Sequence, residues 1–217
     1  MKTSNLITLI ILVINIHCSH AVENLITPSA HAIISQWFSI DSQHDIKMQK
    51  SLLSEDAAGK KFQLSFFSDD QQAVNGILVM PSTQKGQLKL ALLLHAMGTD
   101  QNIWWTQNKI SGNKISEKLL QKGYAVLTLD ARRHGKRSSH DFTAKDMISK
   151  ARSNQPRLYT DMIIGTVRDY RIALSWAQQE LNLTDTSILV AGYSMGAQMS
   201  LLLASYESEI NQVVVMV

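Results

Sequence analysis

Between Phe62 and Val217 the chain carries six short apolar runs, each about as long as a strand, set among polar and helix-like stretches. The first two, Phe62 to Phe67 and Val74 to Met80, are separated by Ser68-Asp69-Asp70-Gln71-Gln72 and closed by Pro81-Ser82, the pattern of an antiparallel hairpin. Leu88 to His95 is almost continuously apolar, as a strand covered on both faces of a parallel sheet requires. Tyr124 to Asp130, Ile188 to Tyr193 and Val213 to Val217 repeat that type. Between them lie helical patterns: Ile115 to Lys122 ending at Gly123, and Asp161 to Leu181 with apolar residues at Ile164, Val167, Ile172, Leu174 and Trp176. Alternating strands and helices predict a doubly wound, mostly parallel α/β sheet.

Other segments are less regular. Residues 22–59 are polar and mixed, with apolar positions at Ile33, Ile34, Trp37 and Phe38 and again at Met48, Leu52 and Leu53, which predicts an N-terminal segment of one or two short helices. Met147 to Leu158 shows no clear period and is compatible with a surface loop near the site, without a firm assignment. Val213 to Val217 would form an edge strand with no charge, no proline and nothing beyond to cover it, an aggregation hazard.

At the other end, a single lysine precedes the apolar stretch LITLIILVINI, too short for a comfortable membrane span. Ser19-His20-Ala21 supplies small residues where a signal peptidase reads them, so residues 1–21 are expected to be a signal peptide cleaved after Ala21. A lipoprotein anchor at Cys18 and an uncleaved apolar helix are the competing readings. Cys18 is the only cysteine, so cleavage would leave a chain that cannot form disulfides. That suits a periplasmic or secreted bacterial enzyme, with no stable membrane span after processing. An apolar content of 45% over 217 residues supports one domain with an ample core. The net charge is only +3 and the basic residues are scattered except for Arg132, Arg133, Lys136 and Arg137, taken as a solvated loop. Nucleic acid is therefore not an expected partner.

The candidate chemistry lies in Ser187 to Tyr206, where an apolar run meets Gly192-Tyr193-Ser194-Met195-Gly196 and continues into small and apolar residues. This is strand, sharp turn, helix, with a serine at the tip. Such a turn lifts the hydroxyl off the sheet edge and offers the free N–H groups of a helix start to a developing oxyanion. The bland reading of Ser194 is a helix N-cap, with the glycines there for backbone clearance.

With its strand, its helix and a second motif upstream, the chain resembles the α/β-hydrolase superfamily from about Lys60 to its end, most closely dienelactone-hydrolase-type or small carboxylesterase proteins. The second motif, His95-Ala96-Met97-Gly98, resembles the His-Gly-x-Gly loop. The resemblance makes Ser194 the nucleophile and the Met195 and Met97 N–H groups the oxyanion hole. Ala96 stands where glycine is usual and is the substitute donor. His95 and Gly98, with Gly192 and Gly196, are implied to order the loops. Asp130 to Ser138 resembles the family's Asp-x-Arg-Gly-x-Gly-x-Ser turn but has Arg133 in place of glycine, and an Asp130–Arg132 ion pair is expected to fix it. His134, His140 and Asp141 lack the spacing of a compact metal site, so no metal is expected. Trp104 and Trp105 either wall the acyl pocket or, more simply, pack a helix.

The implied activity is serine hydrolysis of a small-molecule ester-type substrate through an acyl-enzyme, without cofactor. The family's triad runs Ser, then Asp or Glu, then His, and no histidine lies beyond Ser194. The expectation is a partial hydrolase domain over residues 60–217 with its C-terminal part missing after the sixth strand, nearly inactive as it stands. The alternative is a non-catalytic ligand-binding protein of the same fold.

Overall fold

The structure, a computed structural model, describes residues 11–14, 28–41, 45–83, 86–106, 115–139, 143–183 and 187–217. Its strands are β1 (Ile11–Ile14), β2 (Gln49–Glu55), β3 (Gly59–Phe67), β4 (Ala73–Pro81), β5 (Lys89–Leu94), β6 (Tyr124–Leu129), β7 (Ile188–Tyr193) and β8 (Ile210–Met216). The helices are α1 (Pro28–Phe38), α2 (Ile115–Gln121), α3 (Ala144–Arg152), α4 (Arg157–Glu180) and α5 (Met195–Tyr206). The strands form one sheet in the order β1-β8-β7-β5-β6-β4-β3-β2. Strands β6, β5, β7 and β8 run parallel, and β2, β3 and β4 add antiparallel pairs on one side. This is the doubly wound α/β architecture expected from the pattern.

Alternation along the central strands divides the core. Leu90, Leu92 and Leu94 of β5 point toward a cluster that includes Val167 and Leu174 of α4, Met199 and Leu203 of α5 and Phe38 of α1. Ala91 and Leu93 face the opposite layer, with Leu120 of α2 and the buried Trp104. Both faces of β5 are thus covered, which is why its sequence is unbroken in apolarity from Leu90 to Leu94.

Three segments differ from expectation. Among the described residues of 22–59 there is one helix, α1, but Met48, Leu52 and Leu53 lead into and lie on strand β2. All seven residues of β2 are exposed, so no inward-facing alternation marks it, and its pairing with β3 is what makes it a strand. Met147 to Leu158 is mostly helical, in α3 and the start of α4, not a loop. Thr143 opens α3 with a capping box, its side chain accepting the Asp146 N–H while the Asp146 carboxylate accepts the Thr143 N–H. Finally, β8 is not left bare, because Ile11–Ile14 pairs with it antiparallel, Ile11 opposite Met216 and Ile14 opposite Val213. The cleavage motif Ser19-His20-Ala21 and Cys18 lie outside the described residues. Among the described residues no helix is long and apolar enough to cross a membrane.

Candidate active site

Strand β7 ends at Tyr193 and α5 begins at Met195, leaving Ser194 alone at the turn with φ 54° and ψ −111°. A non-glycine residue in this region stores on the order of 1–3 kcal/mol of strain and persists only where its surroundings impose it. The surroundings are specific. The Ser194 N–H donates to the Met216 carbonyl of β8 at 2.8 Å, and the Ser194 carbonyl accepts from Ala197 N–H at 3.0 Å. A side chain on Gly192 would overlap the Gly196 carbonyl, and one on Gly196 would overlap the Leu94 carbonyl. The first turn of α5 therefore lies directly on the end of β5, which only glycine permits. Ser194 is exposed and its side chain makes no capping hydrogen bond, so the N-cap alternative is not realised.

Beside it, Leu94 pairs with Gly192 and leads into the turn at residues 95–98. Thr99 closes this turn, its N–H and its hydroxyl both donating to Ala96 O at 3.2 and 2.8 Å. Gly98 takes a left-handed φ of 76°, whereas Ala96 does not, so alanine at that position carries no backbone strain. His95 is 1% exposed. Its Nε2 accepts the Ala131 N–H at 2.9 Å, which places the ring proton on Nδ1, 2.9 Å from Ala96 O. Burial holds its pKa down at about 4, with the neighbouring His134 acting in the same direction and the Ala96 hydrogen bond against it. His95 is a neutral strut between two loops, and its Nε2 is already engaged.

The expected Asp130–Arg132 ion pair is not formed. Asp130 instead accepts the backbone N–H groups of Gln101 and Lys136, each at 3.0 Å. Arg132 turns away toward α4, its guanidinium lying over Gly165, and pairs with Asp70 and with Asp169, the latter at 3.0 Å. Arg137 joins Asp169 at 2.7 Å. Two of the four, Arg132 and Arg137, are thus half-buried in an ion network, and Arg133 and Lys136 are exposed. Arg133 has a φ of 63°, a left-handed conformation that favours glycine.

The His134 ring is buried 5.2 Å from that of His95, with Nδ1 on Arg132 O at 2.9 Å. His140 and Asp141 lie outside the described residues, and no group of residues among those described could hold a metal ion. Trp104 and Trp105 do not wall a pocket at Ser194. They line a cavity of about 260 Å³ with Lys61, Val79 and Leu120 on the α2 face, to which no residue of the sharp turn at 192–196, the elbow, contributes. Thr166, Asp169 and Tyr170 of α4 escaped sequence reasoning. The only signal was polar residues interrupting the apolar period of a helix with both flanks in the core.

A match to the dienelactone hydrolase family model covers residues 100–216, over half of the chain and including the elbow. The chain belongs to the dienelactone hydrolase family. No curated protein sequence matches it. Among solved structures it is similar to a protein of Bacteroides fragilis NCTC 9343 at 13% identity, with a TM-score of 0.61 over 83% of this chain and 49% of that one. Acetyl xylan esterase 1 from Thermoanaerobacterium sp. JW/SL YS485 aligns at 14% identity and TM-score 0.59, covering 83% of this chain and 55% of the other. The acetyl xylan esterase from Paenibacillus sp. R4 aligns at 17% and 0.57, with 85% and 57% covered. The chain spans about half the length of these structures, and at such identities the likeness establishes the α/β-hydrolase fold of this family member.

Two outcomes follow from this geometry. Gly196→Ala sets a methyl group against the Leu94 carbonyl and should cost at least about 2 kcal/mol, read as a lowered urea midpoint at unchanged slope. His95 binds its proton at about pH 4 in the folded chain and near its ordinary 6.5 when unfolded, so the unfolded state takes up more protons between these values. Its contribution is complete above pH 6.5 and is lost as pH falls toward 4, up to about 3 kcal/mol. Urea melts of the wild type should show this loss, and those of His95→Gln should show a correspondingly flatter pH dependence.

Proposed function

We propose that the protein is a serine hydrolase that cleaves small carboxylic esters through an acyl-enzyme on Ser194. The observation that carries this reading is the strained, exposed and uncapped serine, held between two glycines that admit no side chain. Attack by Ser194 Oγ on an ester carbonyl moves charge onto its oxygen. The N–H groups of Met195, at the start of α5, and of Met97, in the adjoining turn, are the donors this reading assigns, with Ala96 N–H as substitute. Among the described residues neither Met N–H is used by a protein acceptor. Loss of one such donor costs about a hundredfold to a thousandfold in turnover. The alcohol then leaves with a proton and water hydrolyses the acyl-serine, with no cofactor required. Family membership supports hydrolysis, and two of the similar structures are named as esterases.

The serine needs a base within hydrogen-bond reach. No histidine follows Ser194 in residues 1–217, His95 Nε2 is engaged by Ala131, and His134 Nε2 is buried. We therefore propose that residues 1–217 acylate slowly, by analogy with triad deletions that cost on the order of a millionfold. Prolonged exposure to a fluorophosphonate, read by peptide mass spectrometry, should place a single adduct on Ser194 and none on the Ser194→Ala variant. Rapid labelling, at the rate of an ordinary esterase, would overturn the slow-acylation proposal. Absence of any adduct at Ser194 would overturn the hydrolase reading in favour of a ligand-binding role.

The apolar stretch ahead of Ser19-His20-Ala21 supports export to the periplasm or medium. N-terminal sequencing of the protein recovered from a bacterial host should begin at Val22, and an intact Met1 would refute processing.

A further inference from the structure

One face of α4 grips the loop after β6 and the adjoining ends of β5 and β6, next to the turn at residues 95–98. Thr166, Asp169 and Tyr170 stand at i, i+3 and i+4, and all three are buried. Thr166 Oγ1 accepts the Arg132 N–H at 3.0 Å and donates to Met162 O at 2.8 Å. The Asp169 carboxylate accepts from Arg132 Nε and Nη2, at 3.2 and 3.0 Å, and from Arg137 Nη1 at 2.7 Å. Arg137 Nη1 also donates to the Asp130 carbonyl at 3.1 Å. The Tyr170 hydroxyl donates to Leu93 O at 2.8 Å and accepts the Leu129 N–H at 2.9 Å, bridging β5 and β6 just before His95 and Asp130. These contacts surround Ala131, whose N–H is the donor to His95 Nε2.

A fully buried carboxylate costs several kcal/mol in lost hydration, and apolar residues of the same volume commonly serve stability as well or better. Stability alone therefore does not account for Asp169, while its position does. We infer that the Thr166–Asp169–Tyr170 face of α4 positions the anion-stabilising turn at residues 95–98. It fixes the loop at residues 130–138, that loop fixes Ala131 N–H, and Ala131 N–H fixes the ring and tautomer of His95 and with them the Ala96–Met97 backbone. Asp169 is a positioning residue, since it touches neither Ser194 nor the turn itself. The inference rests on the proposed role of that turn in stabilising an oxyanion.

The test is Asp169→Asn in the full chain, with Tyr170→Phe as a milder second variant. Two signals are read: the ¹⁵N resonances of the His95 ring, which report its tautomer, and hydrogen exchange of the Ala131 amide relative to the amides of β5. Wild type should show a protonated Nδ1, a bare Nε2 and slow Ala131 exchange. Asp169→Asn should mix the two tautomers and speed Ala131 exchange at least tenfold while the β5 amides stay protected, with a smaller shift of the same sign in Tyr170→Phe. If folded variants keep the wild-type ring signals and Ala131 exchange, the inference is wrong. Should Asp169→Asn fail to fold, Tyr170→Phe and Thr166→Val decide it on the same signals. Neither signal requires Ser194 to react. An unlabelled Ser194 would thus sink the hydrolase reading alone, and unchanged His95 signals beside normal Ser194 labelling would sink the positioning role alone.

Discussion

The backbone of the first turn of α5 rests against the carbonyl at the end of β5, and the rest of the site depends on that contact. Because Gly196 has no side chain, the helix N-terminus comes within van der Waals reach of Leu94 and His95. Because Gly192 has none, β7 can turn sharply beneath it. With both ends of the turn held, Ser194 is driven to φ 54° and its N–H is directed sideways onto Met216 of β8. The cost of the strained residue, on the order of 1–3 kcal/mol, is offset by that hydrogen bond and by the buried Met195, Met199 and Leu203 that seat α5 on the sheet. The same contact brings two backbone segments together, the start of the turn after β5 and the first turn of α5.

Polar groups around this contact are arranged so that each loop end has a fixed partner. His95 remains neutral because burial disfavours its cation and because an amide N–H occupies Nε2, and a cationic ring could not accept that hydrogen bond. Asp130, although buried, is satisfied by backbone amides rather than by a cation, and burial raises its pKa against those hydrogen bonds. The cations are sent elsewhere: Arg132 and Arg137 converge on Asp169. Hydrogen bonds to Asp169 and Asp70 keep Arg132 charged against the cost of its burial. The loop after β6 is thus held from one side by amide-to-carboxylate bonds and from the other by guanidinium-to-carboxylate bonds, with little freedom left to Ala131.

The central fold was legible because it is written in local pattern. Strands β5, β6 and β7 are covered on both faces and are almost continuously apolar, and the bounds read for β7 match the strand to the residue. The elbow was legible because glycine is demanded by close approach and a serine between two such glycines stands out. Segments that depend on tertiary partners were not. Strand β2 has no buried residue and is defined by its ladder with β3, while α3 owes its start to a capping box whose residues look like loop. Arg132 was paired with the wrong acid because sequence proximity favoured Asp130. The distant Asp169 takes it because α4 crosses beneath the loop with Gly165 making room for the guanidinium. Nothing in a linear string records that crossing.

The edge of the sheet bears on the elbow more directly than its distance from β5 suggests. Met216 O, the acceptor for the Ser194 N–H, belongs to β8, and in this structure the outer side of β8 is paired with Ile11–Ile14. An apolar strand with an open edge pairs readily with whatever extended chain is at hand. The residues that read most naturally as a leader therefore also form the strand that completes this edge. Among the described residues no other strand pairs with that side of β8, so the geometry of Ser194 and the covering of β8 are parts of one problem. A strand of any origin that pairs along Val213 to Met216 would supply the same support, because the ladder engages only the backbone and asks little of the side chains it carries.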